Sequence, residues 1–339
     1  MNKRALGADV LLLLTAGIWG FGFVAQRSGM EYIGPFAFNG IRFLLGSLSL
    51  LPLITWRNRE KPKPGVSGIR NPVFASFAAG TCLFFAVTLQ QLGIMFTTAG
   101  NAGFITGLYV VLTPIFGIFL GKKTGPATWV GAVFTLTGLY FLSAAGSMDA
   151  SDPLGSLNPG DIITAVSAVF WAVHVLIIDQ LVRNTDPIVL SSGQFAFCGV
   201  YSLIAAFAVE PFLGSQVETL AKALPGGLFG WKPLPGLIGG FTSGTIPLTF
   251  ISNALIPILY GGLASVGIAY TLQVVAQRDA PPAHATIILC LEGCFAALGG
   301  VLLLHEPLGT WTVLGFVLML TGMLSSQWEV IAGYQNKAV

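Results

Sequence analysis

Glu292 stands in the middle of "HATIILCLEGCFAALGG" (284–300), a run otherwise built almost wholly from apolar and small residues. A carboxylate there can carry a proton, grip a cationic group or tie two helices together. Each role needs shelter from lipid, where a bare charge costs roughly 2.5–3.5 kcal/mol on insertion scales. Arg42 poses the same question in "GPFAFNGIRF". Its guanidinium stays charged and offers a fork of donors suited to a carboxylate or phosphate. It can equally pair with Glu292 or fix helix packing. His174 lies one helical turn from Trp171, and its imidazole titrates near neutral pH.

On these grounds Trp19, Arg42, Tyr109, Trp171, Gln194 and Glu292 are the candidate substrate-binding residues, and Glu292 and His174 the candidate proton carriers. Gln90, Gln273, Asn101 and His284 are candidates for lining a polar pathway, although amides in apolar helices also bond helix to helix. His284 sits near one end of its apolar run and is expected to meet water. Asp179 lies near the expected cytoplasmic end of its run and is expected either to be solvated or to pair with Arg183, one turn away. No catalytic residue, cofactor or metal site is expected. Cys290 and Cys294 do not share a face with Glu292, and Cys82, Cys198, Cys290 and Cys294 form no CxxC. They read as small buried hydrophobes.

The elements that carry these residues follow from composition. Only 9% of the 339 residues are charged and 54% are hydrophobic, with a mean hydropathy of +0.79. A soluble domain carries about 25% charged residues. This chain cannot cover its surface with charge, so lipid must. About 20 apolar residues cross the roughly 30 Å hydrocarbon core. That template predicts an all-α polytopic membrane protein with ten spans, at 9–28, 35–55, 72–94, 98–120, 126–146, 161–182, 187–209, 252–276, 281–304 and 307–327. Pro35, Pro72, Pro126, Pro187, Pro281 and Pro307 mark six of their starts, where the missing N–H costs nothing. Glu292 lies eleven residues past Pro281, about 16 Å along a helix and hence near mid-membrane.

Lys and Arg collect in cytoplasmic loops. With the N-terminus inside, Lys3, Arg4, the "WRNREKPKPG" segment, Arg70, Lys122, Lys123, Arg183, Arg278 and Lys337 all fall inside, against Arg27, Lys222 and Lys232 outside. Both termini are therefore expected in the cytoplasm, and the basic segment reads as a topology determinant. The run after Lys3 and Arg4 resembles a secretory signal but lacks a small-residue cleavage pattern, so it reads as a first span.

The two halves align. At an offset of 152, Trp19 falls on Trp171, Pro35 on Pro187, Arg42 on Gln194 and Phe43 on Phe195. At an offset of 183, Asn101 falls on His284 and Tyr109 on Glu292. One step further, Gly125, Gly131 and Gly138 fall on Gly309, Gly315 and Gly322. The change of offset places an insertion at about 210–247, rich in Gly and Pro, on the expected outer side. The expected units are residues 1–150 and 158–330, five spans each. Five is odd, so consecutive copies must lie inverted, an architecture that places a substrate site at midplane in many carriers.

The segments "IWGFGFVAQRSG", "GPFAFNGIRF", "TTAGNAGFITGLYVVLTPIFG" and "HEPLGTWTVLGFVLMLTG" together resemble the drug/metabolite transporter superfamily, in its EamA-type branch, over nearly the whole chain. The resemblance implies a carrier of the plasma or inner membrane that moves amino acids or other small metabolites. Lys123, where many relatives carry an acidic residue, and the insertion depart from that pattern.

The function expected is secondary active transport of a small amphipathic metabolite, with export favoured, by alternating access. Its expected partners are substrate, membrane lipid and protons; no nucleic acid partner is expected, and the protein is expected to act as a monomer. The chain has no GxxxxGK[ST] loop for ATP, no HExxH and no GxSxG. A passive channel is the main alternative and would need a continuous polar lining, which these spans lack. An intramembrane enzyme is the more distant one.

Overall fold

The computed structural model describes residues 3–59, 71–96, 99–122, 124–147, 159–210, 252–304 and 310–335. The insertion beyond Glu210, most of the basic segment after Arg59, Lys123 and the "HEP" stretch lie outside the described residues.

The described residues are helical, without strands. In order they form α1 (Lys3–Gly29), α2 (Pro35–Arg59), α3 (Pro72–Ile94), α4 (Ala99–Thr106), α5 (Tyr109–Phe119), α6 (Pro126–Ser147), α7 (Pro159–Leu181) and α8 (Pro187–Ala208). After the insertion come α9 (Leu255–Leu259), a π-helical segment (Tyr260–Tyr270), α10 (Thr271–Ala276), α11 (Pro282–Leu289), α12 (Glu292–Leu304) and α13 (Thr310–Gln335). Seven helices among the described residues are long and apolar enough to cross a membrane: 4–29, 35–57, 72–94, 160–181, 187–208, 255–276 and 282–303. Side chains such as Phe74, Ile204, Leu302 and Leu324 are exposed on the outside of the bundle, as lipid-facing residues must be.

Local chemistry sets the helix starts. Asn71 caps α3 by accepting from the Val73 N–H, with Pro72 next in line. Asp186 caps α8 through Ile188 and Val189, followed by Pro187. Both match the preference for a short polar acceptor before proline at a helix start.

Helix α2 packs along α8, α3 against α7 and α8, α1 against α12 and the π segment, and α6 against α13. The α6–α13 contact is reciprocal. A Cβ at Gly138 would sit 2.6 Å from the carbonyl oxygen of Gly315, and one at Gly322 would sit 2.6 Å from that of Gly131. These are the glycines that the offset alignment pairs, and only hydrogen at Cα allows so close an approach.

The fourth span differs from the continuous helix expected over 98–120. It divides into α4 and α5 at Gly107–Leu108, where the ladder tightens to i→i+3 bonds from Leu108 to Ile105 and from Val110 to Gly107. The ninth divides into α11 and α12 at Cys290–Leu291, with Leu291 bonded to Ile288 and Gly293 to Cys290. The breaks fall at aligned positions and touch, because the Cys290 thiol donates to the Gly107 carbonyl at 3.2 Å. Each break ends immediately before a candidate residue, Tyr109 in one half and Glu292 in the other.

Candidate functional site

Breaking α4–α5 and α11–α12 side by side brings the starts of α5 and α12 together, and with them Tyr109 and Glu292. The Tyr109 hydroxyl donates to Glu292 Oε1 at 3.3 Å. Glu292 is 4% exposed and has no ion-pair partner among the described residues. Arg42, 1% exposed, likewise has none. Its Nε donates to Asn39 Oδ1 at 3.0 Å, and Asn39 is itself anchored by donating to the Val87 carbonyl. The guanidinium carbon lies 5.0 Å from the Phe43 ring centre and 5.4 Å from that of Phe38. Arg42 Nη2 has no hydrogen-bond partner among the described residues. A buried cation with a free donor is costly unless something answers it.

Arg42 and Glu292 line one central cavity. Trp19, Trp171, Tyr109 and Tyr270 furnish aromatic wall, and Gln26, Gln90, Gln273, Thr106 and Ser265 furnish polar groups. Tyr270 is the hub of the wall, with ring centres 4.5 Å from Trp19, 5.9 Å from Trp171 and 5.8 Å from Phe43 and from Phe195. Trp19 and Trp171, aligned across the halves, lie 6.2 Å apart. Gln90 and Gln273, also aligned, both face the cavity. Its free volume is about 20 Å³, room for roughly one water. In this conformation the site is closed down on itself.

The π segment positions one wall. A π turn leaves carbonyls that the ordinary ladder would use. Here Trp19 Nε1 donates to the Ser265 carbonyl at 3.3 Å, and the Thr15 hydroxyl shares its proton between the carbonyls of Leu11 in its own helix at 2.9 Å and Ala269 at 3.1 Å. In return the Tyr260 hydroxyl donates to the Ile18 carbonyl at 2.8 Å. Helix α1 and the π segment are thereby stitched together beside the cavity.

The remaining candidates lie elsewhere. His174 Nε2 and Gln194 Oε1 are 2.9 Å apart, both fully buried, and neither lines the cavity. His284 is not open to water as expected. It is buried, and its Nε2 lies 2.9 Å from Asp9 Oδ1 on α1. Asn101 lies on α4, but its side chain is outside the described residues. Of the two expectations for Asp179, pairing holds and solvation does not: it is buried, pairs with Arg183 at 3.2 Å, and pairs also with Lys122 from the other half of the chain. Lys122 and Arg183, with Arg278, line a second cavity of about 320 Å³ between α5, α7 and the α10–α11 connection, at the end where positive charge predicts cytoplasm.

Sequence reasoning did not single out Tyr270, Gln26, Thr106 or Ser265. Gln26 carried a signal, an amide in an apolar run two turns past Trp19. Tyr270 carried little, since an aromatic in an apolar helix is usually plain packing.

Known proteins with the same pattern bear on what such a site does. The pattern of the EamA-like transporter family matches residues 6–144 and again 158–326. An uncharacterized transporter of Archaeoglobus fulgidus is 28% identical over 95% of this chain and 86% of its own length. The inner membrane transporter YedA of Escherichia coli, also uncharacterized, is 23% identical over 88% of this chain and 84% of its own. Human solute carrier family 35 member F6 is 22% identical over 71% of this chain and 63% of its own. A solved crystal structure shares the fold with a TM-score of 0.67 at 18% identity, covering 94% of this chain and 96% of that one. Two matches to one family pattern, together spanning most of a helical, lipid-facing chain, identify a multi-pass membrane transporter: the chain belongs to the EamA-like transporter family.

Proposed function

We propose that this protein is a secondary active transporter that moves a small amphipathic metabolite, such as an amino acid, by alternating access, with export as the favoured direction. The observation that carries the reading is the central cavity, which holds an Arg42 and a Glu292 that lack ion-pair partners among the described residues, between aromatic walls. A cargo with an anionic group, a polar or cationic group and an apolar body answers all three features. Arg42 takes the anion through its free donor, Glu292 takes the second group or a proton, and Trp19, Trp171 and Tyr270 take the apolar part.

The cavity is too small for such a cargo as it stands, so loading requires the halves to part. Two copies of one unit, five spans each and mutually inverted, provide two equivalent ways to part, one towards each face. The inner membrane, with both termini cytoplasmic, is the location that the charge distribution and the relation to YedA support.

The test is counterflow in proteoliposomes with a panel of amino acids and related metabolites. A carrier gives saturable uptake driven by unlabelled cargo inside, lost in Arg42→Ala and Glu292→Ala. Flux that neither saturates nor shows counterflow points to a channel and rejects the reading.

A further inference from the structure

At the same 152-residue offset that pairs Pro35 with Pro187, Gly34 pairs with Asp186. Asp186 caps α8 from within its own helix start, its Oδ1 accepting from the N–H groups of Ile188 at 2.9 Å and Val189 at 3.2 Å. Gly34 has no side chain to do this for α2. Glu210, from just beyond α8, does it instead. Its Oε1 accepts from the Phe36 N–H at 2.6 Å and the Ala37 N–H at 3.0 Å. The two solutions exclude each other, because a Cβ at Gly34 would lie 2.5 Å from the Glu210 carboxyl carbon and from both its oxygens.

The two ends of the α2–α8 seam therefore differ. One is wet and ionic, with Asp186 also pairing to Arg57 at 3.0 Å and both side chains exposed. The other is dry. Glu210 is 5% exposed, its Oε2 has no partner among the described residues, and Ile33, Phe36, Ala37, Phe38, Ala206, Ala254 and Ile258 close the seam there. Among the described residues, the charged and titratable groups nearest this end of the adjoining elements are Arg27 at the end of α1, Glu31 and Tyr32 in the α1–α2 connection, Arg42 two turns into α2 and Tyr260 past α9, with Tyr201 and Cys198 about two and three turns back along α8. The last turn of α8 and the whole of α9 hold none.

We propose that Glu210 is a proton-binding site governing this end of the seam: neutral, it stays buried on the α2 N-terminus and fastens the halves; ionised, it prefers water and lets that end loosen. Burial pushes the Glu210 carboxyl from its ordinary 4.5 up to about 7, against the opposing pull of the Ala37 and Phe36 N–H groups. A group that binds its proton more tightly when docked stabilises the docked state at low pH. The contribution is complete below about 4.5, falls as pH rises, and is gone above about 7. The charge distribution makes this the outward end, so the site would read external pH. Its use in transport rests on the carrier reading above, whereas the latch itself does not.

The test is amide exchange on the purified full-length protein without substrate, read as protection of the Phe36 and Ala37 N–H groups after correction for intrinsic rates. Wild-type protection falls by about tenfold or more between pH 5 and pH 7.5. Glu210→Gln keeps an acceptor oxygen without a titration, and its protection stays level. Glu210→Ala loses protection at all pH values, and adding Gly34→Asp restores it by supplying the cap that α8 already has. A level wild-type profile, or the same slope in Glu210→Gln, overturns the latch. Counterflow measured on the same preparations separates the two ideas, since a level exchange profile with intact counterflow rejects the latch alone.

Discussion

Tyr109 and Glu292 occupy the same place in the two halves of the chain and touch each other, hydroxyl to carboxylate, at 3.3 Å. Contact between equivalent positions arises where an axis relating two copies passes between them. Trp19 with Trp171 and Phe43 with Phe195 obey the same geometry, with ring centres 6.2 and 6.1 Å apart. At the Tyr109–Glu292 contact the copies differ in the one respect that creates chemistry, since a phenol can donate where a carboxylate accepts.

Tyr109→Phe removes that donor and strips Glu292 Oε1 of its hydroxyl partner in a buried site, at a cost of about 1–3 kcal/mol. The cargo-binding constant and the pH profile of counterflow are both expected to shift. In Glu292→Gln the pH profile of counterflow is expected to flatten, because no proton can be exchanged at that position. A Glu292→Gln profile that overlays wild type rejects the proton role and leaves Glu292 as a binding or packing group.

Arg42→Lys keeps the charge and loses the fork, so it separates the two readings of this residue. If Nη2 meets the cargo, the apparent affinity falls by about tenfold or more, the worth of a charge-assisted hydrogen bond. Asn39→Ala frees Nε without touching the guanidinium terminus, and a smaller loss of the same kind follows if Asn39 positions the fork. Normal affinity in both variants, with a lowered melting temperature, assigns Arg42 to helix packing.

Much of this arrangement was legible in the residue types. The offset alignment pairs Trp19 with Trp171 and Tyr109 with Glu292 from sequence alone, because a repeat constrains distant residues in a way that local propensity does not. Proline marked the starts of α2, α3, α6 and α8. The helix breaks at Gly107–Leu108 and Cys290–Leu291 were not legible. Pro114 sits several residues past the first break, and the second has no proline near it. Those breaks meet at a cross-contact, the Cys290 thiol on the Gly107 carbonyl, that exists only once the halves come together and that no local sequence pattern encodes. The π segment was hidden for the same reason, as its spare carbonyls are taken up by Trp19 and Thr15 from a distant helix. Glu210 looked like the first residue of an outer loop, and its role follows from what Gly34 lacks.

Thr15→Val removes the donor that the Ala269 carbonyl shares with the Leu11 carbonyl, while keeping side-chain volume. The carbonyl then lacks its partner from α1, at a cost of about 1 kcal/mol. Amide exchange between Tyr260 and Tyr270 is expected to quicken while exchange in α3 and α8 stays unchanged. Equal quickening everywhere would mean that the hydroxyl supports the whole bundle and not this segment in particular.

Gly138→Ala places a methyl against the Gly315 carbonyl and the Met319 N–H, backbone on both counts, so the neighbour cannot rotate away. Overpacking of this kind costs about 1–3 kcal/mol. The reciprocal Gly322→Ala meets Gly131 and Thr135 in the same way and is expected to cost a similar amount. Because the two sites lie on the one α6–α13 contact, the double substitution should cost less than the sum, since the first forces the helices apart for both. Thermal unfolding in detergent reads all three, and strict additivity rejects a shared contact.

Asp179 is 1% exposed and is held by both Lys122 and Arg183, whose own side chains reach water to different extents. Arg183 is mostly exposed, so Arg183→Ala is expected to cost no more than about 1 kcal/mol, as for a surface pair. Lys122 is the more buried partner and arrives from the other half of the chain, so Lys122→Ala should cost more. Losing both leaves a buried carboxylate without a cation, a situation worth about 3–5 kcal/mol. The double variant is therefore expected to be worse than the sum of the single ones, and Asp179→Asn placed in the double-variant background should recover most of the loss. Recovery fails if the two cations serve mainly to line the neighbouring cavity, and in that case counterflow rather than stability would register their absence.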